Sequence, residues 1–378
     1  MKKIFLFVNV DWFFYSHRLP IAKAALNHDI DMTVYTDITD KRRKESLNEI
    51  KVTQSPLSRS SKTPWSILIE FFKSYRLISK ARPDLLHAVT IKPIIFMGLI
   101  SRLTKIPFVA AISGFGPVIN QSNVFSRIRY KFVSMIYKFV LGPKSASVIC
   151  QSENDKNILI SSKICSESKI NMMPGSGVDL LQFKPRVDRK NDHIVLMACR
   201  ILKDKGIKEF CDAARELNTY DEREIKFLLA GPIDELSPSS VTEEEINSLC
   251  RDSNVEYLGD RDDISDLLAS SSIFVMPSYY PEGMPKVLLE ASACGIPIIT
   301  TDHPGCRDAV IDGKTGLLVK ARNSEEIANA ISYLFNNPDI MEKMGKSGRR
   351  HAEVSFDEQL IINSHFKLYR SLIKDTDV

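Results

Sequence analysis

Four charged residues stand where they can act together. Arg200 ends the apolar run Ile194–Cys199, and Lys205 follows five residues later, just before Gly206. Two cations at one strand end, across a short loop, can bracket a diphosphate. The stretch SYYPEGMPKVLLEASACG, Ser278 to Gly295, adds Glu282 on a Pro/Gly turn and Glu290 in an apolar run. A carboxylate on such a turn accepts hydrogen bonds from sugar or ribose hydroxyls. Pro285 suits the first position of a helix that runs Lys286–Ala293 and stops near Gly295. The amides near Gly283, Met284 and Lys286 then face a ligand, and a helix start favours an anion by about 0.3–1 kcal/mol. Plainer readings fit the same residues. Glu290 pairs with Lys286 at i, i+4, Glu282 belongs to a capping turn, and Arg200 and Lys205 are solvated loop charges. Residue types and spacing alone leave both readings open.

The surrounding elements favour strand ends as the site. KIFLFVNV, DMTVYT, DLLHAVT, PFVAAIS and SVICQS read as strands, separated by helical segments such as LPIAKAALNHD, WSILIEFFKSYRLISKARP and IIFMGLISRLTK. The alternation restarts at HIVLMACR and continues through KFLLAG, VEYLG, IFVMPS, PIITT and GLLV, with helices at 206–217, 243–251, 262–269, 285–294 and 324–336. Apolar strands alternating with helices predict parallel sheets covered on both faces. The expected organisation is α/β with two doubly wound domains, 1–185 and 186–356, facing across a cleft. A charged linker at 186–192 joins them, and 357–378 forms a C-terminal helix returning to the first domain. In such folds ligands bind outside the carboxyl ends of the strands.

Charge is uneven along the 378 residues. Residues 1–185 carry 27 Lys and Arg against 13 Asp and Glu, and the remainder carries 24 against 34. No acidic residue lies between Asp84 and Glu153, where eight basic ones do. The first half therefore expects an anionic partner. FSRIRYKFVSMIYKFVLG alternates basic with apolar residues, which suits an anionic membrane surface rather than nucleic acid. No run approaches the roughly 20 apolar residues of a spanning helix. The expectation is a cytoplasmic protein, peripheral on the inner face of the cell membrane. Seven scattered cysteines form no CxxC or Cys/His cluster, so neither a metal site nor a disulfide framework is expected. His87 on its strand reads as packed, while GSGVDL and GKTG lack the context of nucleotide-binding loops.

Arg200-x4-Lys205 followed by Glu282-x7-Glu290, with PGSGVDLLQFKP, LLAGP and the text from VEYLGDRDD to GKTGLLV, resembles the family 4 glycosyltransferases of the GT-B fold. The likeness covers nearly the whole chain and is densest in 194–320. NVDWFFYSHRLP, HAVTIKP and ISGFGPV resemble the branch that extends undecaprenyl-diphosphate-linked sugars in bacterial O-antigen, capsule or glycan assembly. The resemblance implies a retaining enzyme that takes a UDP-sugar, N-acetylgalactosamine first among the N-acetylhexosamines, and needs no cofactor or metal. It implies that Arg200 and Lys205 hold the donor diphosphate and that Glu282 contacts the transferred sugar. Gly283, Met284, Lys286, Val287 and Gly231 would line the donor site, and Glu290 would hold the ribose. The leaving phosphate would accept the acceptor's proton, so no general base is named. Ser113, with Gly114, stands where many relatives carry a histidine, so the sugar-side contact must differ. His17 and Arg18, read at the start of the first helix, and Lys92 are candidates for the acceptor phosphate. Transfer of galactose or glucose, a UDP-sugar epimerase and a non-catalytic glycan-binding module are the alternatives.

Overall fold

The computed structural model describes residues 1–40, 49–58, 63–114, 124–186, 193–220, 223–235, 237–280 and 283–374. The chain divides into two compact units, Met1–Ser176 with Gln359–Val378, and Gly177–Glu358.

The first unit is built on a parallel sheet of β1 (Lys2–Phe7), β2 (Ile30–Thr36), β3 (Lys51–Gln54), β4 (Leu85–Val89), β5 (Phe108–Ile112), β6 (Ala146–Cys150) and β7 (Ile170–Met172). Their order is β3-β2-β1-β4-β5-β6-β7. β4, β5 and β6 are buried along their whole length, as apolar strands covered on both faces must be. The helices are α1 (Asp11–His17), α2 (Leu19–Ala25), α3 (Pro64–Ala81), α4 (Ile91–Thr104), α5 (Val124–Leu141) and α6 (Glu153–Ser161). Side chains of α3 to α6 join one core on one face of the sheet. Those of α1 and α2 join another on the opposite face. α3 starts where the Thr63 hydroxyl accepts from the Ser66 amide with Pro64 next, and ends where Arg82 turns left-handed before Pro83.

The second unit carries β8 (Ile194–Ala198), β9 (Lys226–Ala230), β10 (Val255–Tyr257), β11 (Ile273–Met276), β12 (Ile298–Thr301) and β13 (Gly316–Val319), in the parallel order β10-β9-β8-β11-β12-β13. Around them lie α7 (Ile207–Tyr220), α8 (Glu243–Ser253), α9 (Ile264–Ser270), α10 (Lys286–Ala293), α11 (Ser324–Asn336) and α12 (Pro338–His351). The last helix, α13 (Glu358–Lys374), contributes Ile362, Phe366, Tyr369 and Ile373 to the core of the first unit.

Two expectations shift. The change of unit falls at 176/177, not 185/186, because Val178 pairs with Asp357 and both Val178 and Phe183 pack in the second core. Of the charged stretch read as a linker, 187–192 lies outside the described residues. β3, β7, α1, α6 and α12 were not foreseen. β3 and β7 are four and three residues long, too short for a periodic signal.

Candidate active site

In a doubly wound sheet, loops diverge where the strand order reverses, and the opening left there receives ligands. In the second unit this point lies between β8 and β11. The turn after β8 carries Arg200 and Lys205. The turn after β11 carries Tyr279 and Tyr280, and leads through Gly283 and Met284 to α10. Local chemistry holds the two turns together. Gly206 has φ +81°, and a Cβ there would meet the Pro277 carbonyl oxygen at 2.3 Å. The Tyr279 amide donates to the Asp204 carbonyl at 3.0 Å, and its hydroxyl donates to the Lys203 carbonyl at 3.0 Å. The Ser239 hydroxyl fixes the Asp204 carboxylate at 2.6 Å. Arg322 lies 4.4 Å from the Tyr279 ring centroid.

Lys205 is only 4% exposed. Its ammonium lies 5.5 Å from the Tyr280 ring centroid, where the aromatic quadrupole favours a cation. Arg200 is part-exposed, and its Nη1 donates to Asp234 Oδ2 at 2.8 Å. Asp234 escaped sequence reasoning. Its signal was its place three residues after Gly231, in a loop returning to the same sheet edge. Gly231 has a packing reason to be glycine. Its φ is +140°, and a Cβ would sit 1.7 Å from the Cys199 carbonyl oxygen, so the β8 and β9 exits touch.

α10 begins at Lys286 as expected, with Pro285 one residue earlier at the N-cap and no side chain capping the helix. Lys286 Nζ stands 3.5 Å from Glu290 Oε1, which is the i, i+4 pair of the plainer reading. Burial raises the Glu290 pKa, and the Lys286 charge opposes that shift. Val287 is half-buried beside the α10 core. Glu282 lies outside the described residues. A cavity of about 500 Å³ borders the turn, lined by Lys203, Ile207, Lys208, Val241, Leu249 and Tyr279, and neither diphosphate candidate is in its wall.

The first-unit candidates fare differently. His17 ends the short α1 and, with Arg18 at the N-cap of α2, stands directly before the helix that begins at Leu19, its ring stacked 4.2 Å from that of Phe13. Arg18 is 1% exposed and packs inside, where burial lowers its pKa to about 10 and the Tyr369 hydroxyl opposes that. It is a core residue, not a surface phosphate ligand. Lys92 pairs with Glu70 Oε2 at 2.7 Å and donates to the Ser58 carbonyl at 2.7 Å. Its charge serves the α3–α4 contact. Ser113 and Gly114 follow β5, with Gly114 at φ +93°, and the loop after them, 115–123, lies outside the described residues. His87 is packed as expected, with Nδ1 2.7 Å from the Tyr369 hydroxyl.

Comparison with known proteins bears on the family and the fold. Residues 181–351 match the family described as Glycosyl transferases group 1, and residues 3–152 match Glycosyl transferase 4-like. The chain is 29% identical to the N,N'-diacetylbacillosaminyl-diphospho-undecaprenol alpha-1,3-N-acetylgalactosaminyltransferase of Campylobacter jejuni, over 96% of each chain. It is 26% identical to the UDP-Gal:alpha-D-GlcNAc-diphosphoundecaprenol alpha-1,3-galactosyltransferase of Escherichia coli, over 73% of this chain and 72% of that one. Among solved structures, sucrose-phosphate synthase from Thermosynechococcus elongatus superposes with a TM-score of 0.82 at 20% identity, over 99% of this chain and 100% of that one. Anabaena HepE in complex with UDP-glucose superposes with a TM-score of 0.78 at 19% identity, over 98% and 100%.

Proposed function

This chain is a glycosyltransferase of the family 4 type on the GT-B fold, and from that premise we propose that it moves a sugar from a UDP-sugar to a polyprenyl-diphosphate-linked saccharide with retention of configuration. The observation that carries the proposal is the cation pair Arg200 and Lys205 on one braced turn at the reversal point of the second sheet. Cations held in advance at a developing diphosphate stabilise the charge that leaves with it, without reorganising during the reaction. Asp234 fixes one edge of the Arg200 guanidinium, and the Tyr280 ring lies against the Lys205 ammonium.

The proposal extends along the start of α10. Gly283 and Met284 lead into the uncapped start of α10, whose amides bind sugar and phosphate. Glu290, inside that helix, accepts from the ribose hydroxyls, and Glu282 contacts the transferred sugar. The reaction needs no metal, because the two cations supply the positive charge. Both curated relatives named above act on undecaprenyl-diphosphate-linked sugars, by their names. This favours a lipid-linked acceptor in O-antigen, capsule or glycan synthesis, with N-acetylgalactosamine as the first donor sugar to try. The reaction then takes place at a membrane surface, on its cytoplasmic side.

The test is a panel of UDP-sugars offered with a synthetic lipid-diphosphate monosaccharide, comparing the parent with Glu282→Ala. The expected result is UDP release and product with one sugar, abolished in the variant while its circular dichroism is unchanged. Full activity of Glu282→Ala would sink the donor-site assignment, and sugar isomerised without acceptor would favour an epimerase.

A further inference from the structure

α3 is apolar on two opposite faces. Its inner side places Ile78 in the core, with Phe71 and Leu77 packed against it. Its outer side carries Trp65, Leu68, Ile69, Phe72 and Tyr75, all exposed, with Trp65 at 76%. These positions follow the i, i+3, i+4, i+7 rule and form one stripe about 120° wide. A water-facing helix surface is normally polar, so the stripe is not explained by folding of this unit. The helix's one carboxylate, Glu70, is buried and paired with Lys92. Lys73, Arg76 and Lys80 supply the other charges of the helix.

α5 repeats the pattern. Phe125, Ile128, Phe132, Met135 and Phe139 make an exposed stripe, with Phe125 at 85%. Arg127, Lys131 and Lys138 run along one side of it and Arg129 along the other. Arg102 of α4 lies 4.0 Å from the Phe139 ring centroid. α3 and α5 both pack on α4 and cover the same face of the sheet, so their stripes look outward together. No helix among the described residues is long and apolar enough to cross a membrane.

We propose that α3 and α5 together form the face that docks this enzyme on an anionic bilayer, with Trp65, Ile69 and Phe72 of α3 and Ile128, Phe132 and Met135 of α5 entering the headgroup boundary. The occupant is argued from charge and polarity. Two parallel apolar stripes flanked by cations and free of exposed carboxylates complement acyl chains beneath anionic headgroups. A second copy of this chain would bring the same cations against one another. The proposal rests on the reading that the acceptor is lipid-linked and adds where the enzyme sits to reach it. Sequence patterning singled out α5 alone; α3 doubles the footprint.

The full chain is co-sedimented with phosphatidylcholine vesicles, with or without about one third phosphatidylglycerol, at low and high salt. The parent is compared with Ile69→Glu/Phe72→Glu on α3 and with Phe132→Glu/Met135→Glu on α5. All four positions face solvent, so the fold tolerates the changes. The expected result is binding to the anionic vesicles that weakens in high salt and falls about tenfold or more in each double variant. Trp65 fluorescence should shift to the blue on binding in the parent, and the shift should vanish in Trp65→Phe. Turnover on a water-soluble short-chain acceptor should be unchanged in both double variants, while turnover on vesicle-embedded acceptor falls. Parent-like binding by the α3 double variant would overturn the proposal. So would binding indifferent to phosphatidylglycerol and salt, or lipid-free self-association that the variants abolish. A parent that binds vesicles but turns over neither acceptor would instead overturn the transferase reading and leave the docking face standing.

Discussion

The two units share an architecture and differ in what their cations do. Each has a parallel sheet whose strand order reverses once, between β1 and β4 in the first and between β8 and β11 in the second. In the second unit Arg200 and Lys205 stand on a turn at that reversal, one anchored by a carboxylate and the other against an aromatic ring. In the first unit the cations named as ligand candidates are used internally. Arg18 is enclosed with Tyr369, His87 and His365, and Lys92 neutralises Glu70. The same fold therefore offers the same opening twice, and only the placement of charge distinguishes a donor-site candidate from a structural contact. What the first unit shows the outside is an apolar and basic helix face.

The strongest challenge to this contrast is Lys205→Ala. Loss of a cation placed at the leaving diphosphate should lower kcat/KM by about 10²–10³-fold, roughly 3–4 kcal/mol, with the thermal midpoint little changed. Normal kinetics would remove the distinction between the two units. Lys92→Met should do the reverse. Leaving Glu70 without its ammonium should destabilise by about 2 kcal/mol in urea titration, less than a fully buried pair because Lys92 keeps some exposure, while the KM for the lipid-linked acceptor holds. A raised acceptor KM at unchanged stability would return Lys92 to the phosphate. The smallest effect concerns pH. Burial holds His87 and His365 below their ordinary value of 6.5, His365 at about 3, and the Arg18 charge adds to both shifts. The unfolded chain protonates these rings first. Their contribution is therefore present above about pH 6.5 and is lost as pH falls toward the folded values, by at most about 1.4 kcal/mol per pH unit for each ring. His365→Phe should flatten the slope of unfolding free energy between pH 6.5 and 4.5, and an unchanged slope would deny the enclosed cluster its role.

Much of this protein is readable in one dimension because its physics there is local. Alternating apolar strands and amphipathic helices dictate doubly wound parallel sheets, and α10 and α11 take the bounds that their proline, glycine and asparagine punctuation dictates. Arg200 and Lys205 could be singled out because a strand end and a following helix start lie within a few residues of each other. Three things were settled only by the tertiary structure, since each depends on which distant residue arrives alongside. Asp234 meets Arg200 only when the β8 and β9 exits touch, which Gly231 permits. Arg18 and Lys92 look like ligands in sequence, and become structural because α13 brings Tyr369 beside Arg18 and α3 brings Glu70 beside Lys92. And α3 reads as an ordinary amphipathic helix until packing shows that one apolar side fills the core and the other remains outside.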